Sequence, residues 1–282
     1  MEYNFFDKIK ELSLKYKAFI VPILSLVIII TFVYFYSISY SKYINYDSFN
    51  EIDEFIRITK EKDANIYNPY KIKIINQESR GIDISEWQGE IDWDWLKDSV
   101  DFVIIRCGGR TTVEGKIFED NNFRKNIEEA TKRNIPVGVY FFSAAKNEKE
   151  VYEEASFTLN LIKNYKITYP VVYDYETVNE AQRTDGLSKK EITHHAKTFL
   201  NYINNHGYDV MAYINQYDYD YSYNINDLQG IKIWYAYYGE NLRVNNYDML
   251  QYTSTGRVNG IRGNVDMNIS RFSYVLEGEQ NG

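Results

Sequence analysis

The chain has 282 residues, of which 44% are hydrophobic and 26% charged, and its formal net charge is −8. This balance is typical of a globular protein and gives no sign of global disorder. Residues 1–40 hold four lysines and three acids, so the rest of the chain carries the whole negative excess. Such an acidic domain lacks the basic surface that nucleic-acid binding needs, which argues against a nucleic-acid partner.

Near the amino terminus, residues 18–36 form a run without charge, AFIVPILSLVIIITFVYFY. A helix rising about 1.5 Å per residue needs roughly this length to span a bilayer core of about 30 Å. Lysines precede the run at Lys8, Lys10, Lys15 and Lys17, and only Lys42 follows it closely. The positive-inside rule then puts residues 1–17 in the cytoplasm and the rest of the chain outside.

We therefore expect residues 18–40 to be a transmembrane signal anchor, with the main domain outside the membrane. A cleaved signal peptide is the rival, because Ser37-Ile38-Ser39 resembles a small-x-small cleavage site. The apolar run is longer than the 7–15 residues or so that are usual for signal peptides, which favours the anchor. Either alternative exports the domain.

Residues 41–79 are polar and predict a stalk or linker. Ser48 is a candidate N-cap within them, and helical spacing is approximated by Phe49, Ile52, Phe55, Ile56 and Ile58. We expect a short stalk helix there.

From Arg80 onward, short apolar runs alternate with helical patterns. The runs have strand length and lie at Gly81–Ile84, Phe102–Cys107, Pro136–Phe142, Pro170–Tyr173, Asp209–Ile214, Ile231–Tyr235, Asp248–Tyr252 and Val265–Met267. Helical spacing appears at Asn121–Arg133, Glu148–Asn164 and Ser188–Asn205, the last with a capping box of Ser188 and Glu191. This alternation predicts an α/β fold with a parallel sheet closed into an eight-stranded barrel, incomplete where the last gaps lack helices.

In such barrels the active site lies at the carboxyl ends of the strands. The expected rim combines acids with aromatic and polar side chains, as a polysaccharide cleft requires. The candidate carboxylates are Asp83, Asp174, Glu176 and Asp266, and the candidate substrate-binding residues are Arg106, Tyr140, Phe142, Tyr213, Trp234 and Gln251.

Asp174 and Glu176 are the most informative pair. Two positions apart on a strand, their side chains point to the same face. Carboxyl groups held close have pKa values pushed apart, so one keeps a proton near neutral pH, as glycoside hydrolysis requires. Other D-x-D pairs, at Asp92/Asp94 and Asp218/Asp220, are expected to be solvated surface pairs. The apolar run Tyr169–Val172 distinguishes Asp174 and Glu176 from them.

Cysteine and histidine usage predicts neither a disulfide nor a metal centre. Cys107 is the only cysteine, and its position after Val103–Ile105 favours a buried, inert thiol. The chain has three histidines, at positions 194, 195 and 206, without the spacing of a metal-ligating pair. We expect no metal and no cofactor.

Several motifs together resemble a known family. They begin with GIDISEWQG at 81–89 and IDW at 91–93, and continue with FVIIR at 102–106, VGVYFFS at 137–143, YPVVYDYE at 169–176, IWYA at 233–236, LQYT at 250–253 and GNVDMN at 263–268. In this order they resemble glycoside hydrolase family 25, the Chalaropsis-type lysozymes, over about residues 80–275.

The resemblance implies a distorted TIM-like β/α barrel that cleaves the β-1,4 bond between N-acetylmuramic acid and N-acetylglucosamine in peptidoglycan. It implies that Glu176 is the general acid/base, with Asp83, Asp174 and Asp266 as supporting carboxylates. The substrate's acetamido group would be the nucleophile, oriented by Asp174. Leu250 departs from the family, many of whose members have Trp there. The barrel would occupy residues 80–276, followed by a tail at 277–282.

Other functions remain as alternatives. A non-catalytic cell-wall glycan-binding module on the same barrel would keep the aromatic residues without needing Glu176. A chitinase would carry a longer D-x-x-D-x-D-x-E run, whereas Val171 and Val172 precede Asp174 here. A polysaccharide deacetylase would need the metal-binding histidines that this chain lacks.

Overall fold

The structure is a computed structural model that describes the backbone of residues 5–178 and 181–277. Before residue 50 it describes side chains only at Lys8, Lys10, Ser13, Tyr16 and residues 26–38. The predicted carboxyl-terminal tail therefore lies outside the described residues from position 278 onward. The chain divides into two compact units, Met1–Arg57 and Ile58–Gly282.

The elements follow in chain order. The helices are α1 Phe5–Asp63, α2 Trp93–Leu96, α3 Phe123–Lys132, α4 Glu148–Ile162, α5 Lys189–Asn204 and α6 Gln216–Tyr221. The strands are β1 Ile72–Ile75, β2 Ser79–Ile84, β3 Phe102–Arg110, β4 Ile117–Glu119, β5 Val137–Phe142, β6 Val171–Asp174, β7 Val210–Asn215, β8 Lys232–Ala236, β9 Met249–Gly256, β10 Val265–Ser270 and β11 Ser273–Leu276. Short 3₁₀ turns lie at Glu86–Gln88 and Ile225–Leu228.

The described residues of the first unit lie in helix α1, which ends at Asp63. The prediction of a separate stalk helix capped by Ser48 is wrong, because α1 passes through residue 48 without a break. No glycine or proline interrupts the chain between Pro22 and Pro69, so nothing local ends the helix there. Among the residues whose side chains are described, no helix is both long and apolar enough to cross a membrane. Side chains 18–25 and 39–40 lie outside that set, and the anchor at residues 18–40 stays a prediction.

The second unit is built on the predicted eight-stranded barrel. Strands β2, β3, β5, β6, β7, β8 and β9 run parallel in that order around the barrel. Strand β10 is antiparallel to both β9 and β2 and closes the ring. Strand β4 pairs with the end of β3 outside the ring. All eight barrel strands overlap the predicted apolar runs, and the predicted helices match α3, α4 and α5.

Alternation along the strands sorts the core into two layers. On β3, Phe102 and Ile104 belong to the apolar group that fills the barrel, whereas Val103, Ile105 and Cys107 pack with the residues of the surrounding helices. This is the period-two pattern of a strand with both faces covered. The prediction of a buried Cys107 is confirmed, and burial raises the pKa of its thiol to about 12.

The direction of β10 was not predicted. A parallel crossover needs a dozen or more residues, and the connection between Gly256 and Val265 is shorter than that. The chain therefore reverses and pairs antiparallel with β9. As a result, the beginning of β10, and not its end, meets the carboxyl ends of the parallel strands, and Asp266 lies directly opposite Asp83.

The second half of the predicted linker is folded into the second unit. Asp63 is fully buried and accepts hydrogen bonds from Tyr202 Oη at 3.0 Å and Asn160 Nδ2 at 3.2 Å. Strand β1 pairs antiparallel with β11 in a separate two-stranded sheet. The apolar pattern of residues 80–275 did not reveal these contacts, because polar side chains and backbone pairing make them.

Candidate active site

The predicted carboxylates meet in one cleft at the rim of the barrel. Asp83 comes from β2, Asp174 ends β6, Glu176 follows two residues later, and Asp266 lies near the start of β10. The cleft has a volume of about 200 Å³ and is lined by Asp83, Tyr140, Asp174, Glu176, Tyr213, Trp234, Tyr238, Gln251 and Asp266. The tertiary structure thus brings together side chains from strands spread over most of the barrel.

Four of the predicted substrate-binding residues line this cleft: Tyr140, Tyr213, Trp234 and Gln251. The indole of Trp234 lies edge-on to both tyrosines, with ring centroids 4.9 Å from Tyr213 and 6.5 Å from Tyr140. Edge-to-face packing of this kind fixes aromatic rings against each other. The cleft therefore has a rigid aromatic wall beside its carboxyl groups.

Arg106 and Phe142 do not line the cleft. The Arg106 guanidinium is engaged by two carboxylates, with Nε 2.7 Å from Asp120 Oδ2 and Nη2 2.8 Å from Glu86 Oε1. Asp120 also accepts a hydrogen bond from the backbone N–H of Glu86. Arg106 thus ties the loop after β2 to the loop after β4, and its donors face protein carboxylates.

Asp83 is held by two buried amide side chains. Its Oδ2 accepts hydrogen bonds from Gln251 Nε2 and Asn268 Nδ2, each at 2.8 Å. Trp234 Nε1 donates to Asn268 Oδ1 at 2.8 Å. Because an indole N–H can only donate, Asn268 presents its oxygen to Trp234 and its nitrogen to Asp83. The aromatic wall therefore decides the orientation of one of the two amides.

The second amide is oriented in a similar way. Gln251 Oε1 accepts hydrogen bonds from the hydroxyl of Tyr213 at 3.0 Å and from that of Tyr238 at 2.5 Å. Its Nε2 is then left for Asp83. The hydroxyls of Tyr213 on β7 and Tyr238 after β8 therefore fix the hydrogen bond from Gln251 to the Asp83 carboxyl. Tyr238 is 55% exposed, and it lies where the cleft opens to solvent.

The four carboxyl groups share surroundings that raise a carboxyl pKa. Burial raises the pKa of Glu176 to about 7, assisted by the negative charges of Asp218 and Asp266. Burial, with Asp266 nearby, also raises the pKa of Asp83 to about 7. The pKa of Asp174 lies well above its ordinary value because of burial and the charge of Glu176, and burial raises that of Asp266. A carboxyl that keeps its proton near neutral pH can act as a general acid.

Asp174 has one further feature. Its Oδ1 is buried and has no hydrogen-bond partner within the described part of the chain. Buried polar atoms are nearly always paired, so such an atom in a cleft is suited to accept a hydrogen bond from a bound molecule. Asp174 can therefore orient an N–H or O–H group beside Glu176.

Sequence analysis missed some residues around the site. Asn268 and Asn215 lie two positions after Asp266 and Tyr213 on the same strands, so side-chain alternation carried a signal for both. The assignment of Asp218 to a solvated surface pair is wrong, because its side chain is completely buried. Helix α6 begins directly after β7, and this turns Asp218 toward the barrel.

A larger cavity lies outside this cleft, with a volume of about 720 Å³. Four of its charged side chains form ion pairs, Lys125 with Glu90 and Arg133 with Glu129. The 200 Å³ cleft is the better candidate, since its carboxyl groups have raised pKa values and converge on one space.

The raised pKa of Asp174 predicts a pH-dependent cost in stability. In the unfolded chain an aspartate loses its proton near pH 4, whereas folded Asp174 keeps it to higher pH. The contribution of Asp174 to stability is thus present below pH 4 or so and is lost as pH rises toward the folded-state pKa. We expect Asp174→Asn to resist urea better than wild type above that pH, by a margin that grows with pH.

Tryptophan fluorescence during urea denaturation at a series of pH values measures this difference, because all four tryptophans lie in the second unit. Asp98→Asn is the matched control, since Asp98 is exposed on the loop before β3. An Asp174→Asn variant whose stability parallels wild type at every pH contradicts the raised pKa.

Known proteins are similar to this domain in sequence and in fold. The chain is 28% identical over 192 residues to a protein named Autolytic lysozyme from Clostridium acetobutylicum, covering 67% of this chain and 54% of that protein. It is 26% identical over 204 residues to Lysozyme M1 from Streptomyces globisporus, covering 67% and 66%. The solved modular autolysin LytC from Streptococcus pneumoniae, in complex with a synthetic peptidoglycan ligand, is 31% identical with a TM-score of 0.60, covering 70% of this chain and 47% of that one.

The matches leave much of each relative's own length uncovered, about half in two of the three. The family whose sequence profile matches is described as Glycosyl hydrolases family 25, and the matched region, residues 82–261, is more than half of the 282 residues. It includes the end of β2, with Asp83, and the whole of β6, with Asp174 and Glu176 beside it. The chain belongs to glycosyl hydrolases family 25.

Proposed function

We propose that this protein is a peptidoglycan hydrolase, a lysozyme that cleaves the β-1,4 bond between N-acetylmuramic acid and N-acetylglucosamine. The observation that carries the proposal is Glu176, a half-buried carboxyl with a pKa raised to about 7 in a cleft lined by aromatic side chains. Membership of the family and the lysozyme names of two relatives support the substrate class.

In the proposed reaction, Glu176 donates its proton to the glycosidic oxygen as the bond to the anomeric carbon breaks. The carbonyl oxygen of the substrate's own 2-acetamido group attacks that carbon and forms a cyclic intermediate. Glu176, now a carboxylate, takes a proton from the water that opens this intermediate. The product keeps the substrate's configuration at the anomeric carbon, because two displacements occur there in succession.

The supporting carboxylates have distinct proposed roles. Asp174 Oδ1, which has no partner in the described protein, accepts the N–H of the acetamido group and turns its carbonyl oxygen toward the sugar. Asp83 and Asp266 lie opposite each other on β2 and β10, and in their ionised forms they contribute negative charge that favours the cationic transition state. Tyr140, Tyr213 and Trp234 provide flat apolar faces for sugar rings.

We expect Glu176→Gln to lower the rate of cell-wall hydrolysis about 10²–10⁴-fold, the usual contribution of a general acid. The amide preserves size and hydrogen bonding but has no proton to donate. A cell-wall zymogram and a turbidity assay measure the loss, and circular dichroism checks the fold. Glu240→Gln, the same change on an exposed residue after β8, serves as the control.

This comparison also separates the enzyme from a non-catalytic glycan-binding module. A binding module clears no zymogram in either form, while both forms still bind cell walls. Activity of Glu176→Gln within a few-fold of wild type removes Glu176 from the proposed role.

The acetamido mechanism makes a prediction of its own. The first-formed product keeps the anomeric configuration of the substrate, and NMR of a fresh reaction on soluble peptidoglycan fragments detects it. Asp174→Asn slows the reaction because an amide orients the substrate N–H less well. Fragments without the acetamido group at the cleaved sugar are not hydrolysed. Inversion at the anomeric carbon means direct attack by water, and it rules out this role for Asp174.

We also propose that the domain works on the cell-wall side of the membrane, with residues 18–40 as a single-pass anchor. The support is the uncharged run at 18–36, the lysines that precede it, and the strong exposure of its described apolar side chains, such as Ile28 and Phe32. An exposed apolar surface along a helix is costly in water and favourable in lipid.

The anchor predicts that the full-length protein stays with membranes through a high-salt wash, because apolar burial is not screened by ions. Immunoblots of washed membrane fractions and sequencing of the mature amino terminus are the measurements. Release by salt, or a mature terminus near Tyr40, contradicts the anchor.

A further inference from the structure

Glu176 has a protein partner outside the lining of the cleft. Asn215, the last residue of β7, directs its Nδ2 toward two carboxyl groups, 3.4 Å from Glu176 Oε2 and 2.7 Å from Asp218 Oδ2. A single N–H₂ group therefore connects Glu176 to a second, deeper carboxyl. Neither Asn215 nor Asp218 has a role in the proposed reaction.

The orientation of Asn215 is fixed by its role at the start of α6. Its Oδ1 accepts the backbone N–H of Asp218 at 2.9 Å, so Asn215 is the N-cap of that helix. With the oxygen engaged in this way, the nitrogen must face Glu176 and Asp218. The cap thus determines which atom Glu176 meets.

Asp218 is completely buried and fully hydrogen-bonded. Besides Asn215, its oxygens accept the backbone N–H of Thr177 at 3.2 Å, the Thr177 hydroxyl at 2.6 Å and the Ser222 hydroxyl at 2.5 Å. Four donors match the acceptor capacity of a carboxylate, so the side chain of Asp218 is fixed in one position. Because Thr177 directly follows Glu176, Asp218 also holds the backbone that carries Glu176.

Other ionisable groups face Glu176 from the strands around it. They are Asp174 on β6, Asp266 on β10, Asp83 on β2, Tyr213 on β7 and Tyr238 after β8, all of which line the cleft. Asp218 differs from them because it does not line the cleft. Asp218 therefore stays beside Glu176 when substrate fills the cleft.

We propose that Asn215 and Asp218 are positioning residues for Glu176: Asn215 holds its carboxyl group in place, and Asp218 favours the proton-carrying form that the glycosidic oxygen requires. Asp218 acts by charge, since a buried negative neighbour disfavours a second negative charge. Asn215 holds the carboxyl group of Glu176 through its N–H. The same hydrogen bond favours the charged form of Glu176, so it opposes the effect of Asp218 on the pKa. The inference rests on the proposed role of Glu176 as general acid.

Asp218 and Asn215 therefore shift the pKa of Glu176 in opposite directions, and one variant of each residue tests this. The basic limb of the profile of kcat/KM against pH reports the pKa of the general acid in the free enzyme. Asp218→Asn removes the like charge, so this limb moves to lower pH by about one pH unit. Asn215→Ser keeps an N-cap but loses the amide N–H, so the limb moves to higher pH by a smaller amount.

The control is Asp220→Asn, which removes the same charge from the same short helix. Asp220 pairs with Arg243 at the surface, away from Glu176, so the pH profile remains that of wild type. The full-length protein and soluble peptidoglycan fragments are used throughout, and circular dichroism checks each fold. If Asp218→Asn does not fold, Asn215→Ser alone tests the proposal. A basic limb that moves to higher pH supports the positioning role, and an unmoved limb overturns it.

The outcomes separate the two proposals. If Glu176→Gln is inactive but the limb is unmoved in folded Asp218→Asn and in Asn215→Ser, the positioning role is wrong and the general acid stands. An equal shift in Asp220→Asn also overturns the positioning role, because the effect is then one of net charge. If Glu176→Gln is as active as wild type, the general-acid assignment itself fails.

Discussion

The antiparallel pairing of β2 with β10 is the constraint on which the rest of the site depends. It closes the barrel and sets Asp83 opposite Asp266 at the rim. Closure also brings Asn268 of β10 and Gln251 of β9 within hydrogen-bond distance of Asp83. The site is therefore a property of the closed ring, because the donors, the aromatic residues that orient them and the carboxyls come from different strands.

This arrangement carries an energetic cost. Carboxyl groups that are buried together oppose ionisation, and each must give up part of its hydration when the chain folds. The network from Trp234 through Asn268 to Asp83 offsets part of that cost with well-aligned donors. The remainder is offset by the apolar layer between strands and helices, which includes Phe141, Phe199 and Ile105. Enzymes commonly keep a preorganised site that lowers the stability of the fold, because the reaction requires it.

Local features of the sequence were sufficient for the elements and for part of the site. Apolar runs of strand length and amphipathic helical runs are encoded by neighbouring residues, so the barrel strands and helices α3 to α5 were predictable. The pair Asp174 and Glu176 was predictable for the same reason, since a buried strand ends at those acids. Burial of Cys107 and the cap at Ser188 also follow from local patterns, and the structure contains both.

The sequence by itself thus determined the barrel strands, the central helices and the candidate carboxylates. Only the tertiary structure decided that β10 runs antiparallel, that Arg106 pairs with Asp120 and Glu86, and that Asp218 is buried behind Glu176. These outcomes depend on contacts between residues far apart along the chain, such as Asp83 and Asn268, which are 185 positions apart. No local pattern encodes such a contact, because it exists only once the ring has closed.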